Sequence, residues 1–195
     1  MRDWHSERSR NGGVDEVPLP GATGRLWLCG KHFIGPDHVS AAARVGADVV
    51  VCLCHGHELE DRYPGYVEWL TGSGGAGADP GAAGDDLMAV WRPVHDLHAP
   101  SAEQALELVE TVAAHLDAGR SVLVHCGAGI GRAGTLAAAV LMRQGLSRQE
   151  ALERVAASRP MAGPEAGPQS DLLVELEGRY RRPAPGGVDG VQVNG

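Results

Sequence analysis

Along this chain of 195 residues, short apolar runs alternate with stretches of helical spacing. "RLWLCG" at 25–30, "DVVVCLC" at 48–54, "LMAVWRPV" at 87–94 and "SVLVHC" at 121–126 read as strands, being short and largely aliphatic. The last has the nearly unbroken apolar character of a central strand covered on both faces. A helix near 37–45 stops at Gly46, and "HELEDRYPGYVEWL" holds a broken turn followed by a short helix. Ser101 caps a helix that runs to about Ala118, with Gln104 at the capping-box position. Helical stretches near 133–144, 147–157 and 168–181 complete the pattern. Strands separated by helices predict an α/β fold: a central, mainly parallel twisted sheet flanked by helices.

Composition sets the boundaries of that domain. Residues 1–23 begin polar and charged and are expected to form a flexible segment, "TGSGGAGADPGAAGDD" at 71–86 is too poor in side chains to pack, and 183–195 has little to bury. One folded domain over 24–182 remains. The formal net charge of -8 argues against nucleic acid or an anionic membrane as partner, since both select a basic surface. No apolar run of 18 residues and no signal-peptide pattern is seen, so a cytoplasmic protein is expected. Four cysteines, Cys29, Cys52, Cys54 and Cys126, are too sparse for a disulfide framework in this length and read as reduced thiols. Cys52 and Cys54 in "CLCHGH" fall on one face of a strand and read as core residues rather than metal ligands, so no metal and no cofactor is expected.

The chemistry concentrates in "HCGAGIGRAGT", 125–135, at the carboxyl end of the fourth strand, where ligands bind in such sheets. Gly129 to Gly134 fit the G-x-G-x-x-G pattern, but a helix follows where a dinucleotide fold needs a second strand, and no P-loop lysine is present. The loop reads instead as an anion cradle. Backbone N–H groups of Gly127, Ala128, Gly129, Ile130, Gly131 and Arg132 can converge on one phosphate, reinforced by the positive end of the next helix. In such a field Cys126 is expected to titrate about three units below a free thiol and to act as nucleophile. Arg132 offers a planar fork to phosphate oxygens. Asp96, on the loop after the third strand and stiffened by Pro100, is the candidate general acid. His95 and His98 beside it read as surface or packing residues.

Cys126, five residues and Arg132, preceded by His125, resemble the signature of the protein-tyrosine phosphatase superfamily, and the small size resembles its dual-specificity branch. "CHGHELEDRYPGYVEWL" is similar to the post-strand segment of kinase-associated phosphatases, "DLHAP" to their general-acid loop and "GPQSDLLVEL" to a segment carrying a catalytic glutamine, here Gln169. The resemblance implies hydrolysis of phosphate monoesters on phosphorylated proteins, phosphotyrosine and/or phosphoserine and phosphothreonine, through a phosphocysteine, with Gln169 positioning the attacking water. A slow or inactive module that docks phosphorylated partners is the alternative. Two positions depart from the family pattern. Ala133 stands where a Ser or Thr hydroxyl is expected, and His95 where tyrosine-specific enzymes carry proline. Ala128 and Ile130 leave Arg132 as the loop's only cation, which favours phosphoprotein over phosphoinositide. Cys54 falls near the strand ends where Cys126 lies, and related phosphatases can carry a cysteine there that pairs with the nucleophile. A redox partner and a plain core residue both remain open for it.

Overall fold

The structure, a computed structural model, describes residues 11–73 and 87–181. The expectations for 1–10, for most of the glycine-rich insertion and for the tail lie outside the described residues. Five strands form one sheet in the order β1-β2-β5-β3-β4: β1 Val14–Val17, β2 Leu26–Gly30, β3 Val49–Cys52, β4 Met88–Trp91 and β5 Val122–Cys126. β2, β5, β3 and β4 are mutually parallel, and only β1 runs antiparallel, along β2. β5 is buried at all five positions, as its apolar sequence requires.

The helices are α1 Lys31–Ile34, α2 His38–Val45, α3 Pro64–Ser73, α4 Ala102–Asp117, α5 Gly131–Arg143, α6 Arg148–Ser158 and α7 Gly167–Tyr180, with a 3-10 turn at Gly56–Glu58. Local chemistry explains their ends. Asp37 caps α2, Gly46 closes it in a left-handed conformation, and Ser101 and Ser147 form capping boxes with Gln104 and Glu150. α5 is buried from Gly131 to Met142 and packs against β5, β2, α4, α6 and α7. Its small residues permit close approach: a Cβ on Gly134 would lie 2.3 Å from the Gly163 nitrogen. Among the described residues no helix is long and apolar enough to cross a membrane.

The elements read from the sequence are present, with three corrections, the first being that α3 continues through Ser73, three residues into the segment expected to be flexible. β1 lies inside the segment expected to be unstructured. Its four residues carry no clean apolar alternation, because the buried Asp15 is held by Arg159 at 2.5 Å, a partner 144 residues away that local patterning cannot reveal. β4 ends at Trp91 rather than 94, since Pro93 has no N–H to give the ladder. Contact with the β3 side nevertheless continues through Arg92 N–H to Cys52 O and Val94 N–H to Leu53 O. Parallel register then aligns Gly30 with Cys126 and Cys52 with His125, which places three carboxyl ends side by side.

Candidate active site

Cys126 is the last residue of β5, and α5 starts at Gly131, so residues 127–130 make the turn between them. Neighbouring segments hold the carbonyls of this turn outward. Lys31 N–H donates to Gly127 O at 3.0 Å, Arg159 Nη2 to Ala128 O at 2.8 Å, and Gly163 N–H and Gly134 N–H to Ile130 O at 3.3 and 2.8 Å. A trans peptide sets its N–H opposite its C=O. The N–H groups of Ala128, Gly129 and Gly131 therefore face away from those ties, into the turn. Gly129 has φ 74°, and a Cβ there would lie 2.2 Å from the Cys29 carbonyl oxygen, so the curl admits no side chain.

The Cys126 side chain is buried, and this corrects the expectation of a depressed thiol. Burial pushes the thiol up, outweighing the Ala133 N–H, the Arg132 charge and the Gly129 N–H that pull it down. Arg132 is itself committed elsewhere. Nη1 donates to Glu58 Oε1 at 2.8 Å, Val94 O at 2.8 Å and Leu53 O at 3.3 Å. Nη2 donates to Glu58 Oε2 at 2.8 Å and pairs with Asp96 Oδ1 at 3.1 Å. Two carboxylates thus absorb much of the positive field that the turn alone suggests for Cys126. Arg132 Nε is buried without a partner, an unfilled donor on the guanidinium.

Glu58 is a residue of this site that sequence reasoning passed over. Its carboxylate makes a bidentate pair with Arg132 and also accepts from His55 N–H at 2.8 Å, while Lys31 Nζ holds its carbonyl at 2.8 Å. Burial opposes its ionisation, yet the Arg132 and His55 hydrogen bonds and the charges of Arg132 and Lys31 prevail and bring its carboxyl down to about 2. Glu58 stays ionised at any pH at which the protein works, and Arg132 keeps a fixed orientation. The quoted segment holds Glu58, Glu60 and Asp61 close together, and nothing local distinguishes the one that faces Arg132.

Asp96 and Gln169 both reach this centre. Asp96 is exposed on its loop, with its carboxylate against Arg132. Gln169 is buried; its Oε1 accepts from Glu165 N–H at 2.8 Å and the Thr135 hydroxyl at 3.5 Å, and its Nε2 donates to His98 O at 3.3 Å. A Cβ on Gly131 would lie 3.1 Å from Gln169 Oε1, so the amide sits against the turn. His95 stacks on His55 with ring centroids 4.1 Å apart, joining the Asp96 loop to the turn that carries Glu58. A small, mainly apolar cavity of about 30 Å³ lies beside the site, walled by residues such as Leu108, Leu136 and Leu172, with Arg132, Thr135 and Gln169 at its edge. His125 points away from Cys126 along the strand and is anchored by the Tyr66 hydroxyl at 2.6 Å.

Cys54 is a buried free thiol two residues beyond the end of β3. Hydrogen bonding with Cys52 and burial push its thiol up, and its own charge would push Cys126 up further. Among the described residues no cluster of His, Cys, Asp or Glu has the arrangement of a metal site.

With this geometry in view, comparison with known proteins fixes the class. A family model described as "Polymorphic toxin system, DSP-PTPase phosphatase" matches residues 81–146, which include Asp96, Cys126 and Arg132. The solved structure of Tk-PTP in a mutant form is 32% identical, with 73% of this chain and 85% of that one covered and a TM-score of 0.58. Its active form is 29% identical over 84% of this chain and 97% of its own, TM-score 0.63. Kinase-associated phosphatase, 17% identical over 86% and 95% of the two chains with a TM-score of 0.68, shares the fold. No curated protein matches the sequence. The chain belongs to the protein-tyrosine phosphatase superfamily, and its residues 81–146 match the dual-specificity family model.

Arg159, with Asp15 behind it, is the second residue that sequence reasoning missed, and its hold on Ala128 O is testable. Arg159→Ala removes the guanidinium that holds both the buried Asp15 carboxylate and Ala128 O and should lower the thermal unfolding temperature. Asp15→Leu with Arg159→Met replaces the pair by apolar groups and should fold, because burying neither charge removes the desolvation penalty. Isothermal titration of that double variant with inorganic phosphate or vanadate should show affinity weakened about tenfold, the worth of one lost charged hydrogen bond. Affinity equal to wild type would show that the turn holds its shape without the strut.

Proposed function

We propose that the protein hydrolyses phosphate monoesters on phosphorylated proteins in two steps through a phosphocysteine. The observation that carries this reading is the turn after β5, whose carbonyls are tied outward around Cys126 while the buried Arg132 Nε lacks a partner. A bound phosphoryl group would accept from the inward N–H groups and from that nitrogen. The Cys126 thiolate attacks phosphorus in line; the bond from phosphorus to the ester oxygen breaks, and Asp96 delivers its proton to that oxygen. Water then attacks the phosphocysteine, Asp96 takes its proton, the phosphorus–sulfur bond breaks, and phosphate leaves with the thiolate restored. Gln169, against the turn and tied to the Asp96 loop through His98 O, positions that water.

The raised thiol fits this sequence once the proton is counted. As general acid Asp96 must be protonated, and a neutral carboxyl gives up the Arg132 pair. Arg132 then bears on Cys126 with less competition, so the reactive form carries its proton on Asp96 and not on sulfur. The loop's lack of a second cation favours phosphoprotein over a polyphosphorylated headgroup, and its dependence on a free thiol suits the reducing cytoplasm. Cys126→Ser should abolish release of phosphate while retaining vanadate binding. Asp96→Asn should slow alkyl phosphates far more than aryl phosphates with good leaving groups. Near wild-type turnover in Cys126→Ser would remove the nucleophile assignment.

A second reading, a slow enzyme or a docking module, is favoured by Ala133, which offers the sulfur a backbone N–H but no hydroxyl, while the Thr135 hydroxyl is turned to Gln169. If thiolate departure is the slow step, rapid mixing should show a burst of the first product, and Ala133→Thr should raise steady turnover and shrink the burst. No burst and no gain from threonine would place the slow step before the phosphocysteine.

Cys54 is proposed as the resolving thiol after oxidation. Hydrogen peroxide converts the Cys126 thiolate to a sulfenic acid, and condensation with the Cys54 thiol forms a disulfide and releases water. After mild peroxide and then dithiothreitol, wild type should recover activity whereas Cys54→Ser should not. Equal recovery of both would leave Cys54 a core residue.

A further inference from the structure

Among the described residues, two that are not glycine hold a left-handed backbone: Leu97 at φ 60° and Met161 at φ 68°. Each occupies the third position of a tight turn, closed by His98 N–H to His95 O at 3.0 Å and by Ala162 N–H to Arg159 O at 3.0 Å. At that position a positive φ calls for glycine or asparagine, because a larger side chain crowds the backbone. Leu97 is 50% exposed and Met161 81%. The other large exposed apolar residues, Val39 and Val174, lie on the ordinary helical backbone of α2 and α7. Exposed apolar side chains are common, and strained turn residues occur. Both costs fall on the same two residues here, and a glycine or asparagine would relieve the backbone strain of each. A contact made outside the chain would account for both.

Their location says which contact. Asp96 immediately precedes Leu97 and sits 3.1 Å from Arg132. Arg159 lies two residues before Met161 and holds Ala128 O, while Gly163 lies two residues after it and donates to Ile130 O. The two turns are therefore fastened to the anion site, one at Arg132 and the other at Ala128 and Ile130. We propose that Leu97 and Met161 form an apolar rim that selects an extended phosphopeptide with apolar residues next to the phosphorylated one; this rests on the phosphatase reading above. An extended segment presents separate side chains on both sides of the phosphoester, which suits two isolated apolar contacts on two loops. A lipid would call for one continuous apolar surface.

Asparagine accepts the left-handed conformation, so Leu97→Asn and Met161→Asn remove the apolar contact without disturbing the turns. Thermal unfolding of the double variant should occur at or above the wild-type temperature. The measurement is kcat/KM on two phosphotyrosyl peptides, with leucine or with serine on both sides of the phosphotyrosine. Wild type should prefer the leucine peptide about tenfold, as burial of a partly exposed aliphatic group implies. The double variant should bring the ratio near one, mainly through KM, and Leu97→Met with Met161→Leu should restore it. No preference in wild type, or a preference that survives in the asparagine variant, would overturn the rim. So would faster hydrolysis of a phosphoinositide in phosphatidylcholine vesicles that is lost in the same variant, because the occupant would then be lipid. Release of phosphate from neither peptide nor from p-nitrophenyl phosphate would remove the phosphatase reading itself, and the rim with it.

Discussion

The site depends on one constraint: the carbonyls of the turn after Cys126 cannot face inward. Lys31 N–H, the Arg159 guanidinium and Gly163 N–H hold three of them from outside, and peptide planarity does the rest. The segments that supply these ties come from the end of β2 and from the region after α6, so the sheet and helix packing converge on the shape of a few peptides. Gly129 and Gly134 permit that convergence, one by its left-handed φ and the other by its approach to Gly163. A preorganised ring of N–H dipoles needs no rearrangement when an anion arrives.

Charge in the site is arranged as a competition for Arg132. Glu58 binds it on two nitrogens and fixes its plane, with a carboxyl near 2 that does not release it on protonation at moderate pH. Asp96 holds a single-contact, exposed claim at 3.1 Å. Burial meanwhile pushes the Cys126 thiol up. Under the proposed mechanism Cys126, Arg132 and Asp96 would act together, because Arg132 lies between the thiol and the two carboxylates.

The strands, the helices and the Cys126 to Arg132 turn were legible because each is encoded locally, by apolar runs, by caps and by spacing. What escaped depends on distant partners. Asp15 looks like part of a charged tail until Arg159 is folded against it, and β1 disappears with it from any local reading. Glu58 is one acid among several until Arg132 selects it. The upward push on the Cys126 thiol was not legible because the turn's dipoles are visible in sequence whereas the burial of the sulfur is not. Leu97 and Met161 carry no sequence signal, since only the backbone dihedral sets them apart from ordinary loop residues.

The most direct test of the outward-tied turn is an NMR titration of the uniformly nitrogen-15-labelled protein with tungstate, followed at the backbone amides. The account predicts that the amides of Ala128, Gly129 and Gly131 and the Arg132 Nε–H shift together, with a single dissociation constant, while the Gly163 amide that ties Ile130 O stays in place. Shifts confined to surface arginines, or turn amides that move with unrelated affinities, would contradict it.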